Sequence, residues 1–271
     1  MEKIVTGFVM GVFVLFLVVR TWDFYAVQPE TLPTPIPTPT TAPTIVTNTP
    51  IPTVTVIQPS PTLTPSPAPF SCTGEIAWGD RTRNIVVFTF DAGSGNQSTI
   101  PVLETLEEHN LTATFFITGT WANSNQELLR QISEAGHEIY NHTYTHPHLT
   151  QISDKEIRDE LTSTNELIES ITGNSTTPFF RPPYGERNQH VLDVALAEGY
   201  CSVYWTVDAL DWKESEGVTS EQVKARIFNN LNPGTIYLMH LGDNITGQIL
   251  DEVITHVQSQ GFEILPLSKG I

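Results

Sequence analysis

From Asn84 onward, short apolar runs alternate with amphipathic stretches. Ile85 to Asp91 (IVVFTFD) reads as a buried strand, Thr99 to His109 as a helix and Thr112 to Ile117 as a second strand. Further helices are predicted at Gln126 to Ala135, Asp154 to Ile171, His190 to Glu198, Ser220 to Leu231 and Gly247 to Gln260. Strands are predicted at Glu138 to Asn141, Phe179 to Arg181, Cys201 to Val207, Thr235 to His240 and Glu263 to Leu265. Apolar strands that repeat with intervening helices predict an α/β fold whose parallel sheet is covered on both faces, closed into a barrel or doubly wound. In either arrangement the site lies at the C-terminal ends of the strands.

The first 70 residues have a different pattern. An apolar run from Ile4 to Val19, closed by Arg20, approaches a bilayer core in length at about 1.5 Å per residue, with Thr6, Trp22 and Tyr25 at the interfaces. The run is long for a signal-peptide core and no small-x-small cleavage site comes after it, so residues 1–28 are expected to be a signal-anchor, with a cleaved signal peptide as the alternative. Either one exports the rest of the chain. Residues 29–70 are dominated by Pro and Thr, and such a segment cannot bury enough surface to fold. It is expected to be a disordered, extended spacer, compatible with an O-glycosylated stalk. Residues 71–271 remain as one catalytic-sized domain, expected to be a monomer at the cell surface, or secreted if the leader is cut.

Charge narrows the partners. The chain carries a formal −17, and Glu2, Asp23 and Glu30 against Lys3 and Arg20 account for only −1 of it, so −16 belongs to the domain and its edges. Nucleic acid is excluded, because phosphate binding needs clustered Lys and Arg. A neutral glycan or a cationic product suits this surface better. Cys72 and Cys201 are too far apart for a zinc ribbon or a redox pair, and two readings stay open: a disulfide, or a buried free thiol at Cys201.

Ionisable residues recur where the predicted strands stop: Asp91, His142 with His146, Arg181, Asp208 with Asp211, and His240. On a barrel these positions converge on one mouth. The four-residue spacing of His142 and His146 would place both imidazoles on one side of a helical turn, able to hold zinc or another first-row divalent ion such as Co2+. Asp91 ends a strand and opens a Gly-rich turn, where a helix cap is the plainer role for an aspartate. Arg181 precedes a rigid Pro-Pro-Tyr-Gly loop and could pair with a buried carboxylate such as Asp91. Asp211 offers His240 a partner that fixes its tautomer and raises its pKa, as a general acid requires.

Thr89-Phe90-Asp91-Ala92-Gly93, His142 to His146, Arg181 to Gly185, Asp208 to Trp212 and Leu238-Met239-His240 together resemble the five ordered motifs of the polysaccharide deacetylases, the NodB-homology domain of carbohydrate esterase family 4. The resemblance implies a distorted (β/α)7 TIM-like barrel that hydrolyses N-acetyl, or sometimes O-acetyl, groups on peptidoglycan, chitin-like glycans or xylan. It makes Asp91 the general base oriented by Arg181, His142 and His146 the metal ligands, and His240 the general acid positioned by Asp211. The backbone N–H near Tyr184 would stabilise the oxyanion, and Trp212 and Leu238 would wall the acetyl methyl.

One departure stands out. The family's first motif commonly has a second aspartate as third metal ligand, and here that position is Ala92. A methyl group cannot ligate, which leaves water, substrate oxygen, Asn141, Asn96 or Asp91 itself as replacement donors. Loss of that ligand also motivates a rival reading, a glycan-binding domain with weakened catalysis.

Overall fold

The computed structural model describes Cys72 and residues 74–271; the signal-anchor expected at 1–28 and the spacer expected at 29–70 lie outside the described residues. The elements run in chain order as β1 (Ile85–Ala92), α1 (Thr99–Glu108), β2 (Thr114–Ile117), α2 (Gly119–Ser124), α3 (Gln126–Glu134) and β3 (Glu138–Asn141). Next come α4 (Asp154–Thr172), β4 (Phe179–Phe180), α5 (Gln189–Ala197), β5 (Cys201–Ser202), β6 (Val207–Asp208) and α6 (Ser220–Phe228). The chain finishes with β7 (Thr235–His240), α7 (Ile245–Ser259), β8 (Glu263–Leu265) and α8 (Leu267–Gly270). Among the described residues no helix is long and apolar enough to cross a membrane.

The strands pair in parallel in the order β5-β4-β3-β2-β1-β7-β6, and β8 joins the start of β1. This is an α/β half-barrel, because no ladder joins β5 to β6 at the two ends of that path among the described residues. All eight residues of β1 are buried, as a strand covered on both faces requires. Alternate side chains go to opposite sides. Ile85 and Val87 pack inward with Phe116, Tyr140, Phe179, Val203 and Ile236, whereas Val86, Phe88, Phe90 and Ala92 join the layer formed with Val102, Leu106, Leu250 and Val253 of the helices. Thr89 and Asp91 continue the inward set, so the apolar barrel interior gives way to polar groups at one end.

The predicted strand from Cys201 to Val207 is two short pieces. Its first part pairs with β4 and its last part with β7, while Val203 and Tyr204 give their carbonyls to the Arg181 guanidinium, at 3.3 and 3.4 Å. Next to this break the backbone of Ile76 bridges Val203 in parallel, and the buried Arg181 side chain takes the carbonyls on the barrel side. Cys72 and Cys201 form a disulfide with Cα atoms 5.6 Å apart, which settles the two readings of these thiols.

Candidate active site

Strand register gathers the site. Asp91 of β1 is paired with His240 of β7, while Ala92, Ile117, Asn141 and Phe180 form one row across β1, β2, β3 and β4. His142 and Arg181 come one residue beyond that row. A cavity of about 550 Å³ opens here, lined by Asp91, His142, His146, Tyr184, Trp212, Leu238 and His240 among others. Arg181 and Asp211 lie behind the wall, fully buried. The structure therefore brings together the ionisable strand-end residues and the expected wall residues: Asp91, His142, His146, Tyr184, Asp208, Trp212, Leu238 and His240 line the cavity, and Arg181 and Asp211 support it.

Asp91 is held from one side. The Arg181 Nη1 donates to Asp91 Oδ1 at 2.6 Å and to Thr89 Oγ1 at 2.9 Å, and the guanidinium lies 4.0 Å from the Phe116 ring centroid. Asp91 Oδ2 points the other way and stands 3.4 Å from His142 Nε2.

The two histidines are not on a helix. Residues 142–148 form a loop in which Thr143 and His146 have φ of 64° and 59°, and this is what brings the rings to 4.8 Å between centroids. Left-handed backbone at non-glycine residues is costly and must be held by its surroundings. Glu160 of α4 does this: its Oε2 accepts both Tyr144 and Thr145 N–H at 2.7 Å, and its Oε1 accepts the Thr145 hydroxyl at 2.6 Å. Asn141 Oδ1 accepts the Thr143 N–H at 2.9 Å, and its amide nitrogen reaches Leu161 O, Thr176 and Tyr200. Asn141 is thereby committed to the loop and the core and is no metal donor; Asn96 is bonded to Asn125 and does not line the cavity.

The donor chemistry fits a divalent ion. His142 Nδ1–H donates to the Arg181 carbonyl at 2.9 Å, so Nε2 presents a lone pair to the cavity. Burial holds the His142 imidazole below its ordinary pKa, and burial with His142 nearby lowers His146 to about 4, so both rings are neutral at pH 7. His142 Nε2 and Asp91 Oδ2 then face each other at 3.4 Å. Donors placed tetrahedrally at about 2.1 Å from one ion stand ~3.4 Å apart. No cluster of three or more His, Cys, Asp or Glu ligands is assembled among the described residues, so the residues that would hold an ion are the two imidazoles, with Asp91 alongside.

The opposite wall is acidic in the other sense. His240 Nδ1–H donates to Asp211 Oδ1 at 2.9 Å, and its backbone N–H to Asp211 Oδ2 at 2.6 Å. Burial alone would lower the imidazole, but the Asp211 carboxylate, reinforced by Asp91 and Asp208, lifts it to about 9. Burial works against the charged form of Asp211, yet His240 and the Thr246 hydroxyl hold it below the usual carboxylate range. One cavity thus contains neutral imidazoles on one side and a protonated one on the other.

Tyr184 and Trp212 are 60 % and 45 % exposed at the rim, with Tyr184 stacked on His148 at 4.4 Å. Tyr184 has φ 57° and Gly185 φ 64°. A Cβ at residue 185 would come within 2.6 Å of the Trp205 ring, so only glycine allows this loop to fold against Trp205. The N–H groups of Gly185 and Glu186 are committed to the Pro182 and Pro183 carbonyls, which leaves that of Tyr184 for an incoming oxygen.

Trp205, Asp243 and Ser94 line the cavity and were not singled out from the sequence. Asp243 sits in a Gly-Asp-Asn turn that reads as ordinary loop chemistry. Its position three residues beyond His240, just past a strand end, is the signal that could have found it.

The sequence pattern of the polysaccharide deacetylase family matches residues 79–203. Peptidoglycan-N-acetylmuramic acid deacetylase PdaA of Bacillus subtilis is 35% identical over 184 residues, covering 68% of this chain and 70% of that one. The chain belongs to the polysaccharide deacetylase family, carbohydrate esterase family 4. A peptidoglycan-N-acetylglucosamine deacetylase of Bacillus cereus is 32% identical over 206 residues, covering 73% of this chain and 74% of the relative. Among solved structures, a carbohydrate esterase 4 pseudoenzyme from Bacillus anthracis superposes with a TM-score of 0.69 at 32% identity, covering 73% of this chain and 68% of its own. A mutant of that pseudoenzyme, described as having restored activity, gives the same TM-score at 34% identity. The distortion expected of the family barrel is, in this member, the open path between β5 and β6.

Proposed function

We propose that this chain removes N-acetyl groups from a neutral extracellular glycan, peptidoglycan or a chitin-like polymer, with a divalent ion, Zn2+ first among the candidates, held by His142 and His146. The observation that carries the proposal is one cavity with Asp91, held by Arg181, beside two imidazoles on one side, and His240 hydrogen-bonded to the buried Asp211 carboxylate on the other. An ion bound at the imidazoles supplies Lewis acidity toward water and the acetyl oxygen. Asp91 Oδ2 accepts a proton from the attacking water while Arg181 fixes Oδ1. The Tyr184 N–H donates to the oxygen on which charge develops. His240, whose imidazole the Asp211 carboxylate favours in its protonated form, gives its proton to the amine nitrogen as the C–N bond breaks, releasing acetate and a free amine. Leu238 and Trp212 offer apolar walls for the acetyl methyl, and the exposed faces of Tyr184 and Trp212 suit pyranose rings.

Export is part of the reading. The disulfide suits an oxidising compartment, and the apolar run and Pro/Thr segment of residues 1–70 suit a domain held away from a membrane as a monomer. Acetate release from N-acetylated glucosamine polymers and peptidoglycan, abolished by chelator and by Asp91→Asn, is the test. No acetate from these or from acetyl-xylan, with metal supplied, overturns it.

A second reading is favoured by Ala92 and by the likeness to a pseudoenzyme: a glycan-binding domain with little turnover. Zinc calorimetry separates the two, since stoichiometric binding abolished by His142→Ala belongs to the enzyme.

A further inference from the structure

Asp243 lines the cavity and has no task in the proposed chemistry. It is 6 % exposed, and its Oδ2 is fully buried with no hydrogen-bond donor within reach. The other two buried orphan oxygens among the described residues, on Thr99 and Thr143, do not line the cavity. The rest of Asp243 is held firmly. Its Oδ1 accepts the Thr246 N–H at 3.0 Å, and its carbonyl accepts the Ser98 hydroxyl, whose oxygen in turn accepts the Gly247 N–H at 2.9 Å.

Thr246 also donates its hydroxyl to Asp211 Oδ2. One residue therefore clamps two carboxyl groups side by side at the back of the cavity, and each Asp211 oxygen already accepts a donor from His240. Two ionised carboxylates in such a position repel, and an ionised Oδ2 with nothing to accept is heavily penalised. A proton on Asp243 Oδ2, donated to Asp211, removes both problems.

We infer that Asp243 is a positioning residue which carries this proton, so that His240, Asp211 and Asp243 act as one chain and the state of Asp243 sets how readily His240 releases its own proton. Burial and the Asp211 charge raise the Asp243 carboxyl to about 7, in keeping with that geometry. The other charged groups around it are His240 at the end of β7, Asp208 and Asp91 around the same cavity, and Glu214, which accepts from Asn244 N and Nδ2 on the outer side. When Asp243 loses its proton, a second negative charge stands behind His240, which then holds its proton more tightly and is a weaker donor to the amine. Activity should decline as pH rises through about 7, while His240 is still charged.

The inference about rate rests on the deacetylase reading; the inference about the proton does not. The decisive measurement is a carbon-13 titration of the aspartate carboxyl groups in the whole chain, tracked alongside the His240 imidazole signals and the pH dependence of acetate release. One aspartate with a midpoint near 7, absent in Asp243→Asn, is expected, with an inflection of His240 at the same pH. Asp243→Asn keeps a neutral donor toward Asp211 and should shift the alkaline limb of activity upward by roughly two pH units, toward the His240 midpoint. Asp243→Ala, which has no donor, should lower the rate at every pH. A purely structural role would lower activity in both variants and leave the limb in place. Absence of any aspartate titrating above about 6, or persistence of the step in Asp243→Asn, overturns the inference. A chain that shows the titration but releases no acetate instead removes the deacetylase reading and leaves the shared proton standing.

Discussion

Replacing Asp211 with Asn changes one charge and little volume, and it asks whether His240 is held protonated by its neighbour. The rise of His240 from 6.5 to about 9 is worth on the order of 3 kcal/mol of differential interaction. Because the folded value lies above the unfolded one, that contribution to stability is fully present below pH 6.5 and is lost as pH rises through 9. Asp211 must itself be ionised, which confines the full effect to pH values above its ordinary 3.8. Asp243 complicates the comparison, since it is relieved when Asp211 loses its charge. The measurement is therefore made in the Asp243→Asn background. There, adding Asp211→Asn should lower the unfolding free energy by about 3 kcal/mol between roughly pH 4 and 6.5, and the gap should close toward about pH 9. The His240 imidazole, with burial no longer opposed by its nearest carboxylate, should titrate well below 9. Denaturant unfolding across pH and imidazole NMR read the two effects separately. A stability gap that stays flat with pH, or a His240 midpoint that does not move, would falsify the argument.

Asp91→Ala leaves the Arg181 guanidinium buried without its carboxylate, so it should cost about 3–5 kcal/mol in thermal or denaturant unfolding as well as activity. Asp91→Asn should lower the rate of acetate release by roughly 10²- to 10⁴-fold, the range for a general base. Glu160→Ala frees two backbone amides and a hydroxyl of the histidine loop, and zinc affinity by calorimetry should fall about 10- to 100-fold with the fold retained. The paired variant Cys72→Ser with Cys201→Ser opens a link spanning 129 residues, for which chain entropy predicts a loss of about 5 kcal/mol; a melting temperature insensitive to reductant would count against this.

The sheet was legible because strands covered on both faces must be apolar throughout. Thr235–His240 and Glu263–Leu265 coincide with the predicted strands, and α1 and α3 end within one residue of expectation. Failures occurred where a tertiary contact overrules local pattern. Cys201 to Val207 has the composition of one strand, yet its middle residues turn to other partners, with two carbonyls taken by Arg181 and backbone pairing to Ile76. His142 and His146 have helical spacing, yet Glu160 captures the intervening amides and two residues turn left-handed. In both cases the partner lies far along the chain, and no window around the motif contains it. The short helix α2, whose sequence GTWANS has no apolar period, is held by the Thr118 hydroxyl accepting the Trp121 N–H and by the close approach of Gly119 to the Tyr144 ring. The ionisable residues were easier to find, since chemistry at strand ends is written into residue type as well as position.

Ala92 is best understood through the same alternation that fixes Asp91. On β1 the inward positions lead to Thr89 and Asp91, while Ala92 joins Phe88 and Phe90 in the helix-facing layer and is fully buried there. Its methyl is not part of the cavity lining, so the residue leaves no gap beside the imidazoles. Beside the imidazoles the cavity then has one carboxylate, Asp91, which in the proposed reaction would serve as base while bound to Arg181, and two neutral rings that bring no charge of their own. A divalent ion seated on such a set retains more of its positive charge than one with two carboxylates would. That charge strengthens its pull on the acetyl oxygen even as it weakens its hold on the protein. Weak metal retention and competent chemistry are therefore compatible in this site, and Ala92 by itself argues for the first without arguing against the second.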